Sequence, residues 1–289
     1  MHDLYLQNLA ENKMLKLLVC IKQVPMVTEL PWDAKNGTLK RELAEGMMNT
    51  ACKHALEAAL QIKEERGAYI TTITMGPPMA EGVAREALAM GADKGVLLTD
   101  KDMAGSDTFG TSFVLARIIE HVCPDFDLIL CGTQTSDSET AQVGPQLAEE
   151  LDVPGVCSVE HLEFNRRTLR TVRLSDNYLE ILEFDLPGLI TVSTQQFAPR
   201  YVELKGLEDA FNKGDVAILD GHSIGLDADC ISANRSFTNI QDVYSPIASK
   251  KNVVLKGSAK KIVEHFLSRY EDKLSGAIGK DLKAQEKIR

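Results

Sequence analysis

Asp127-Leu-Ile-Leu-Cys-Gly132-Thr-Gln-Thr-Ser-Asp137-Ser-Glu-Thr-Ala-Gln142-Val-Gly-Pro-Gln146 reads as a buried apolar strand, a loop of small polar residues and the start of a helix. A strand ending this way places backbone N–H groups and hydroxyls at the carboxyl edge of a parallel sheet, where a helix N-terminus favours an anion. Thr133, Thr135, Ser136, Ser138 and Thr140, with Gln134 and Gln142, crowd a connection that ordinarily needs only about two to six residues. A phosphate-bearing ligand is the natural occupant. No Gly-Lys-Ser/Thr follows and no Gly-x-Gly-x-x-Gly precedes, so this is neither a Walker loop nor a dinucleotide fingerprint. Ser136 and Glu139 also have capping-box spacing, which would make both structural.

Working outward, residues 15–152 alternate strand and helix patterns. Strands are expected at 15–21, 69–75, 95–98 and 128–131, and helices at 51–66, 79–90, 108–122 and 142–151, two of them stopped by Gly67 and Gly91. That order predicts an α/β fold, a parallel sheet covered on both faces. Ligands of such sheets bind at the carboxyl ends of strands. Three of those ends here carry polar or glycine-rich loops: Lys22-Gln23, Gly76-Pro-Pro78 and Gly132 onward. After Pro154 four shorter strands follow, at 156–164, 168–174, 179–184 and 189–193, with turns at Asn165-Arg166 and Asp176-Asn177. These extend or cap the same sheet. Apolar density falls from about residue 212, residues 221–251 show no sustained period, and one amphipathic helix is expected at 258–272. The expected organisation is an N-terminal extension (1–14), a nucleotide-binding core (15–211) and a C-terminal arm (212–289) lying against a partner.

The chain has 289 residues, 44% hydrophobic and 26% charged, as in an ordinary soluble globular protein. A net charge of −10 argues against nucleic-acid binding as the main task. The six cysteines include no Cys-x-x-Cys pair and give metal ligation no support; they read as intracellular thiols, with Cys20, Cys131 and Cys157 in apolar runs. No segment approaches a membrane span, and residues 1–13 lack the features of a signal peptide, so a cytoplasmic protein is expected. No Gly-x-Ser-x-Gly, His-Glu-x-x-His or paired-carboxylate constellation appears, which speaks against a hydrolase. Asn49-Thr50-Ala51-Cys52 opens the long helix, with Asn49 as N-cap and the helix N-terminus able to face the same ligand.

Read together, Leu17-Leu-Val-Cys-Ile-Lys-Gln-Val-Pro25, Ile73-Thr-Met-Gly-Pro-Pro78, Arg85-Glu-Ala-Leu-Ala-Met-Gly-Ala-Asp93, Leu128-Ile-Leu-Cys-Gly132, Gln142-Val-Gly-Pro145 and Pro199-Arg-Tyr201 resemble the small (beta) subunit of electron-transfer flavoproteins. The resemblance runs from about Lys16 to Phe211. It implies a heterodimer with a large (alpha) subunit that carries FAD in a mobile domain. It also implies a small-subunit pocket that holds AMP, or a second FAD in electron-bifurcating members. Carried over by position, the pocket is Cys20, Asn49, Thr50, Ala51, Cys52, Met75 and the loop Gly132, Thr133, Gln134, Thr135, Ser136, Asp137, Ser138, Glu139, Thr140, Ala141, Gln142 and Val143. Leu204 matches the leucine that docks an FAD-linked dehydrogenase. Two departures stand out: Asn49-Thr50 replaces the usual Asn-Pro, and Thr133 stands where the loop usually has a cation.

Gly37-Thr-Leu-Lys-Arg41 resembles a segment of bifurcating members, in which NADH delivers hydride to a small-subunit FAD and electrons go to the dehydrogenase and to ferredoxin or flavodoxin. Arg41 would then contact a nucleotide phosphate. Such a chain is a redox subunit rather than a stand-alone enzyme, since the cofactor carries the chemistry. The alternatives are a scaffold subunit holding structural AMP and, from fold analogy alone, a nucleotide-hydrolysing α/β protein.

Overall fold

The computed structural model describes residues 14–26, 32–33, 38–39, 45–227, 236–238 and 253–285. Arg41 and residues 1–13 of the expected extension lie outside the described residues.

Strand β1 (Leu15–Cys20) lies inside a nine-stranded sheet. Two short strands, β2 (Gln23–Pro25) and β5 (Gly46–Met48), pair antiparallel beyond its end, and β3 (Trp32–Asp33) pairs with β4 (Thr38–Leu39). Helix α1 (Thr50–Arg66) follows. It contains no glycine or proline and stops at Gly67, whose φ of 77° closes the helix end. Strand β6 (Ala68–Met75) leads through a 3-10 turn at Pro78–Ala80 into α2 (Glu81–Met90), so this helix begins two residues later than its pattern suggests. Strand β7 (Lys94–Leu98), helix α3 (Thr108–Val122), strand β8 (Leu128–Gly132) and helix α4 (Val143–Glu150) complete the alternating part.

Strands β9 (Gly155–Asn165), β10 (Thr168–Ser175) and β11 (Tyr178–Asp185) form an antiparallel meander, and β12 (Gly188–Val192) returns parallel between β8 and β9. Asp176 and Asn177 both have positive φ (47° and 71°), the backbone twist that suits a two-residue hairpin turn. Helix α5 (Leu204–Lys213) and strand β13 (Val216–Leu219) come next, and β13 pairs parallel with β7 as the outermost strand. The sheet therefore continues past Phe211, where the sequence reading ended the core. Both elements carry a signal that this reading passed over: Val216-Ala-Ile-Leu219 is an unbroken apolar run and α5 is amphipathic.

Alternation along the strands feeds two cores. Leu17, Val19, Leu128 and Leu130 pack with Leu56 and Ile62 of α1 and Val83 of α2. Leu18 and Ile129 face the other way, onto Val114 and Ile118 of α3 and Leu147 of α4. A central strand buried on both sides reads as a continuous apolar run, as β1 and β8 do. Asp127 ties their starts together. Only 2% exposed, it accepts from the Lys16 backbone N–H (2.8 Å) and from Arg167 (2.9 Å).

The strand order is β11-β10-β9-β12-β8-β1-β6-β7-β13. The chain builds outward from β1 to β6 and β7, then returns to β8 on the opposite side of β1. The direction of winding reverses between β1 and β8. At such a reversal the helices leave to opposite faces, and a crevice opens at the carboxyl ends.

By contacts the chain divides into two compact units, Met1–Val243 and Tyr244–Arg289. The second contains helix α6 (Ala259–Gln285), where the periodicity predicts a helix over 258–272. Its Val263, Phe266 and Leu267 are about half exposed. No described helix is long and apolar enough to cross a membrane.

Candidate nucleotide site

Two loops meet at the reversal. Cys20, the last residue of β1, is in register with Cys131 of β8. From there the chain turns through Lys22 toward the N-terminus of α1, and through Gly132 into the 133–142 loop. Gly132 is required by proximity: a Cβ there would lie 2.6 Å from the Ala51 carbonyl carbon and 2.8 Å from the Cys52 nitrogen. The loop thus starts pressed against the first turn of α1.

Asn49 holds the two loops together. It occupies the N-cap position of α1, yet its side chain makes no capping hydrogen bond. Instead Nδ2 donates to the Gln134 carbonyl (2.9 Å) and Oδ1 accepts from the Ser136 N–H (3.1 Å). Nδ2 also lies 3.4 Å from Cys52 Sγ. The N-cap assignment is therefore right in position and wrong in partner. With 2% exposure, the carboxamide is a buried bridge rather than a surface cap.

The capping box expected of Ser136 and Glu139 does not form. Helix α4 starts only at Val143, its N-cap is Gln142, and Glu139 has a left-handed φ of 51°. The Glu139 N–H instead donates to the Thr135 carbonyl (2.8 Å), and the Thr135 and Ser138 hydroxyls share a hydrogen bond of 2.8 Å. Ala141 also takes positive φ, 55°. Gln142 offers α4 no side-chain cap and is held by Thr108, whose hydroxyl donates to Gln142 Oε1 at 3.0 Å. The first N–H groups of α4 thus keep the partial positive charge that an anion seeks.

A cation stands beside the loop, two residues past the end of β1. Lys22 Nζ reaches across to Asp137, 2.9 Å from Oδ1 and 2.8 Å from Oδ2. Burial alone would raise the Asp137 pKa, but Lys22 and the Thr135 hydroxyl override it and hold the carboxyl below its ordinary value. The cysteines behave oppositely. The adjoining Cys20 thiol and burial push the Cys131 thiol well up, and burial raises Cys52 despite the Asn49 amide beside it. A raised pKa disfavours the thiolate, the reactive form of cysteine.

Cys20, Asn49 to Cys52 and Gly132 to Val143 lie together at the carboxyl ends of β1 and β8 and the start of α1; Met75 ends the next strand over, β6, which pairs with β1. Leu204 lies elsewhere, at the start of α5, and is 83% exposed, which excludes a core-packing role. Sequence reasoning missed Lys22 as the partner of Asp137. The signal available was a charged residue immediately after an apolar strand end.

Tight backbone approach, loop N–H groups, hydroxyls and an uncapped helix N-terminus suit a nucleotide phosphate. A doubly wound sheet with such a loop at its reversal places the chain among α/β folds in which ligands commonly bind at the carboxyl ends of the strands. Residues 36–220 match the family model of the electron transfer flavoprotein domain. The chain is 38% identical over 255 residues to the electron transfer flavoprotein subunit beta of Thermoanaerobacterium thermosaccharolyticum, covering 88% of this chain and 97% of that one. It is 36% identical to the caffeyl-CoA reductase-Etf complex subunit CarD of Acetobacterium woodii, over 90% of this chain and 99% of that one. To the acryloyl-CoA reductase electron transfer subunit gamma of Anaerotignum propionicum it is 34% identical, again over 90% and 99%. The chain belongs to the electron transfer flavoprotein family, as a beta subunit. Its work is electron transport in a complex with an alpha subunit.

Proposed function

We propose that this subunit holds FAD at the β1/β8 crevice and takes part in electron bifurcation. Cys20, Met75, the Asn49–Cys52 turn and the Gly132–Val143 loop would hold the nucleotide, with phosphates on the loop and the α4 N-terminus. A flavin held there supplies both two-electron and one-electron chemistry. With NADH as donor, it would supply the chemistry for dividing an electron pair between a dehydrogenase, reached through the large-subunit FAD, and ferredoxin or flavodoxin. The protein's part is to bind, orient and exclude water, so no side chain need act as acid or base.

The observation that carries nucleotide binding is the Asn49 bridge, which fixes the 133–142 loop to the helix start at the sheet's reversal. Support for FAD over AMP comes from the Gly37-Thr-Leu-Lys-Arg41 segment, and from two relatives whose names place them with acyl-CoA reductases. Arg41 is proposed as a nucleotide contact, Leu204 as the residue that meets the dehydrogenase, and α6 as the arm that packs on the large subunit. Counting nucleotides in the purified heterodimer tests the reading. Two FAD per heterodimer and no AMP support it; one FAD with one AMP overturns it in favour of an AMP-holding scaffold.

A further inference from the structure

One buried charge in the core has no part in the nucleotide site. Glu57 lies in the middle of α1, between Leu56 and Ala58, and is only 4% exposed. Burying a carboxylate is costly unless it is paired and hydrogen-bonded. Its partner is Arg200, from the segment after β12. Glu57 Oε2 accepts from the Arg200 backbone N–H (3.2 Å) and from Nε (2.8 Å), while Oε1 accepts from Nη2 (2.9 Å). The remaining arm, Nη1, reaches Glu64 at 2.7 Å.

The grip is wider than one residue. His54 Nδ1 lies 2.8 Å from the Gln196 carbonyl, and Gln61 donates to Glu57 at 3.2 Å. Positions 54, 57, 61 and 64 recur at three- and four-residue steps, so they form one stripe along α1. That stripe holds the segment from Gln196 to Arg200 against the helix whose first turn borders the nucleotide crevice.

The chain beyond Arg200 changes character at once. Tyr201 is 100% exposed and Leu204 83% exposed. Helix α5 is then anchored from the other side: Arg85 of α2, itself paired with Glu81, donates to the carbonyls of Ala210 (2.8 Å) and Phe211 (3.3 Å). Tyr201, Val202 and Glu203 therefore form a short span between two arginine anchors, with large exposed side chains at both ends.

We propose that Arg200 is a positioning residue. Clamped to Glu57 and Glu64, it fixes the angle at which Tyr201 and Leu204 leave the core, presenting them as a preorganised docking knob. Preorganisation lowers the ordering cost of association, which matters most for a small transient contact. The docking part rests on the reading of Leu204 given above; the clamp does not.

The test uses the chain copurified with its large subunit. Arg200→Lys keeps a charge against Glu57 but loses the planar fork. Glu57→Leu combined with Arg200→Met removes the buried carboxylate together with its half-buried partner, a replacement that folded proteins commonly tolerate. In both variants, amide exchange over residues 198–204 and chymotrypsin cleavage after Tyr201 should rise roughly tenfold, while exchange in the central strands stays unchanged. Unchanged local exchange in both variants overturns the proposal. So does a rise spread evenly over the sheet, since Arg200 would then be a general stability element. Neither readout involves the acceptor. An inert Leu204 would appear instead as undiminished electron delivery by Leu204→Ala with the span still ordered, sinking the docking reading alone.

Discussion

Lys22 and Asp137 close an ion pair of 2.8 Å between the exit of the first strand and the loop after β8. The pair spans the crevice at which the sheet reverses direction. Asp137 has its pKa depressed by this contact. A carboxylate with a depressed folded pKa adds stability above its unfolded value of about 3.9, and that increment is lost as pH falls through the folded value. Lys22→Met should thus be less stable than the parent near neutral pH, and the gap should close as the solution is acidified. With Lys22 side-chain exposure at 40%, the difference at neutral pH should stay below about 1 kcal/mol. Urea titrations across pH check both sign and size.

Asn49→Ala removes a donor and an acceptor from a buried bridge. The Gln134 carbonyl and the Ser136 N–H lose their partner, a loss of about 1–3 kcal/mol. The loop should loosen and release its nucleotide during gel filtration, where the parent retains it. Asn49→Asp should fail as well, because a carboxylate cannot donate to the Gln134 carbonyl. Nucleotide-to-protein ratios after desalting give the answer.

Gly132→Ala should be worse for binding than its size suggests. The added methyl would overlap the Ala51–Cys52 peptide, and backbone cannot swing aside as a flexible side chain can. Forced overpacking costs about 1–3 kcal/mol and here displaces the first turn of α1 from the loop. The expected result is a folded subunit with lowered Tm and little bound nucleotide.

Leu204→Ala separates recognition from folding. An exposed surface position should move stability by no more than about 0.5 kcal/mol. If Leu204 meets the dehydrogenase, the apparent KM for that acceptor rises, while reduction of a small dye that needs no docking is unaffected. Equal effects on both acceptors would remove Leu204 from the docking surface.

Much of this architecture was legible in the chain. Strands buried on both faces, such as Leu128 to Cys131, announce themselves as apolar runs, and Gly67 and Gly91 mark their helix ends. The loop that follows Gly132 was visible as an excess of hydroxyls. What escaped depends on contacts between residues far apart in sequence. Asn49 looks like any N-cap until the loop 85 residues later arrives beside it. Glu57 looks like a helical surface residue until Arg200 covers it, and Lys22 gives no hint of Asp137. Ser136 and Glu139 had cap spacing, but the left-handed backbone at Glu139 delays the helix to Val143. Helix α5 and the apolar run Val216–Leu219 were legible too, but α5 is short and broken by Gly206, and β13 has only four residues, so neither was separated from the fading pattern around it.

Strand β13 also has a practical consequence. It covers the outer edge of β7 and so satisfies a row of backbone groups that would otherwise face water. A fragment ended at Phe211, where the apolar pattern fades, would uncover that edge and offer it to other chains as a template for aggregation. Shortened versions of this subunit for crystallisation or engineering should therefore keep the chain through Leu219, so that the short β13 is one edge and β11, with its exposed Leu179 and Ile181, is the longer edge to be managed.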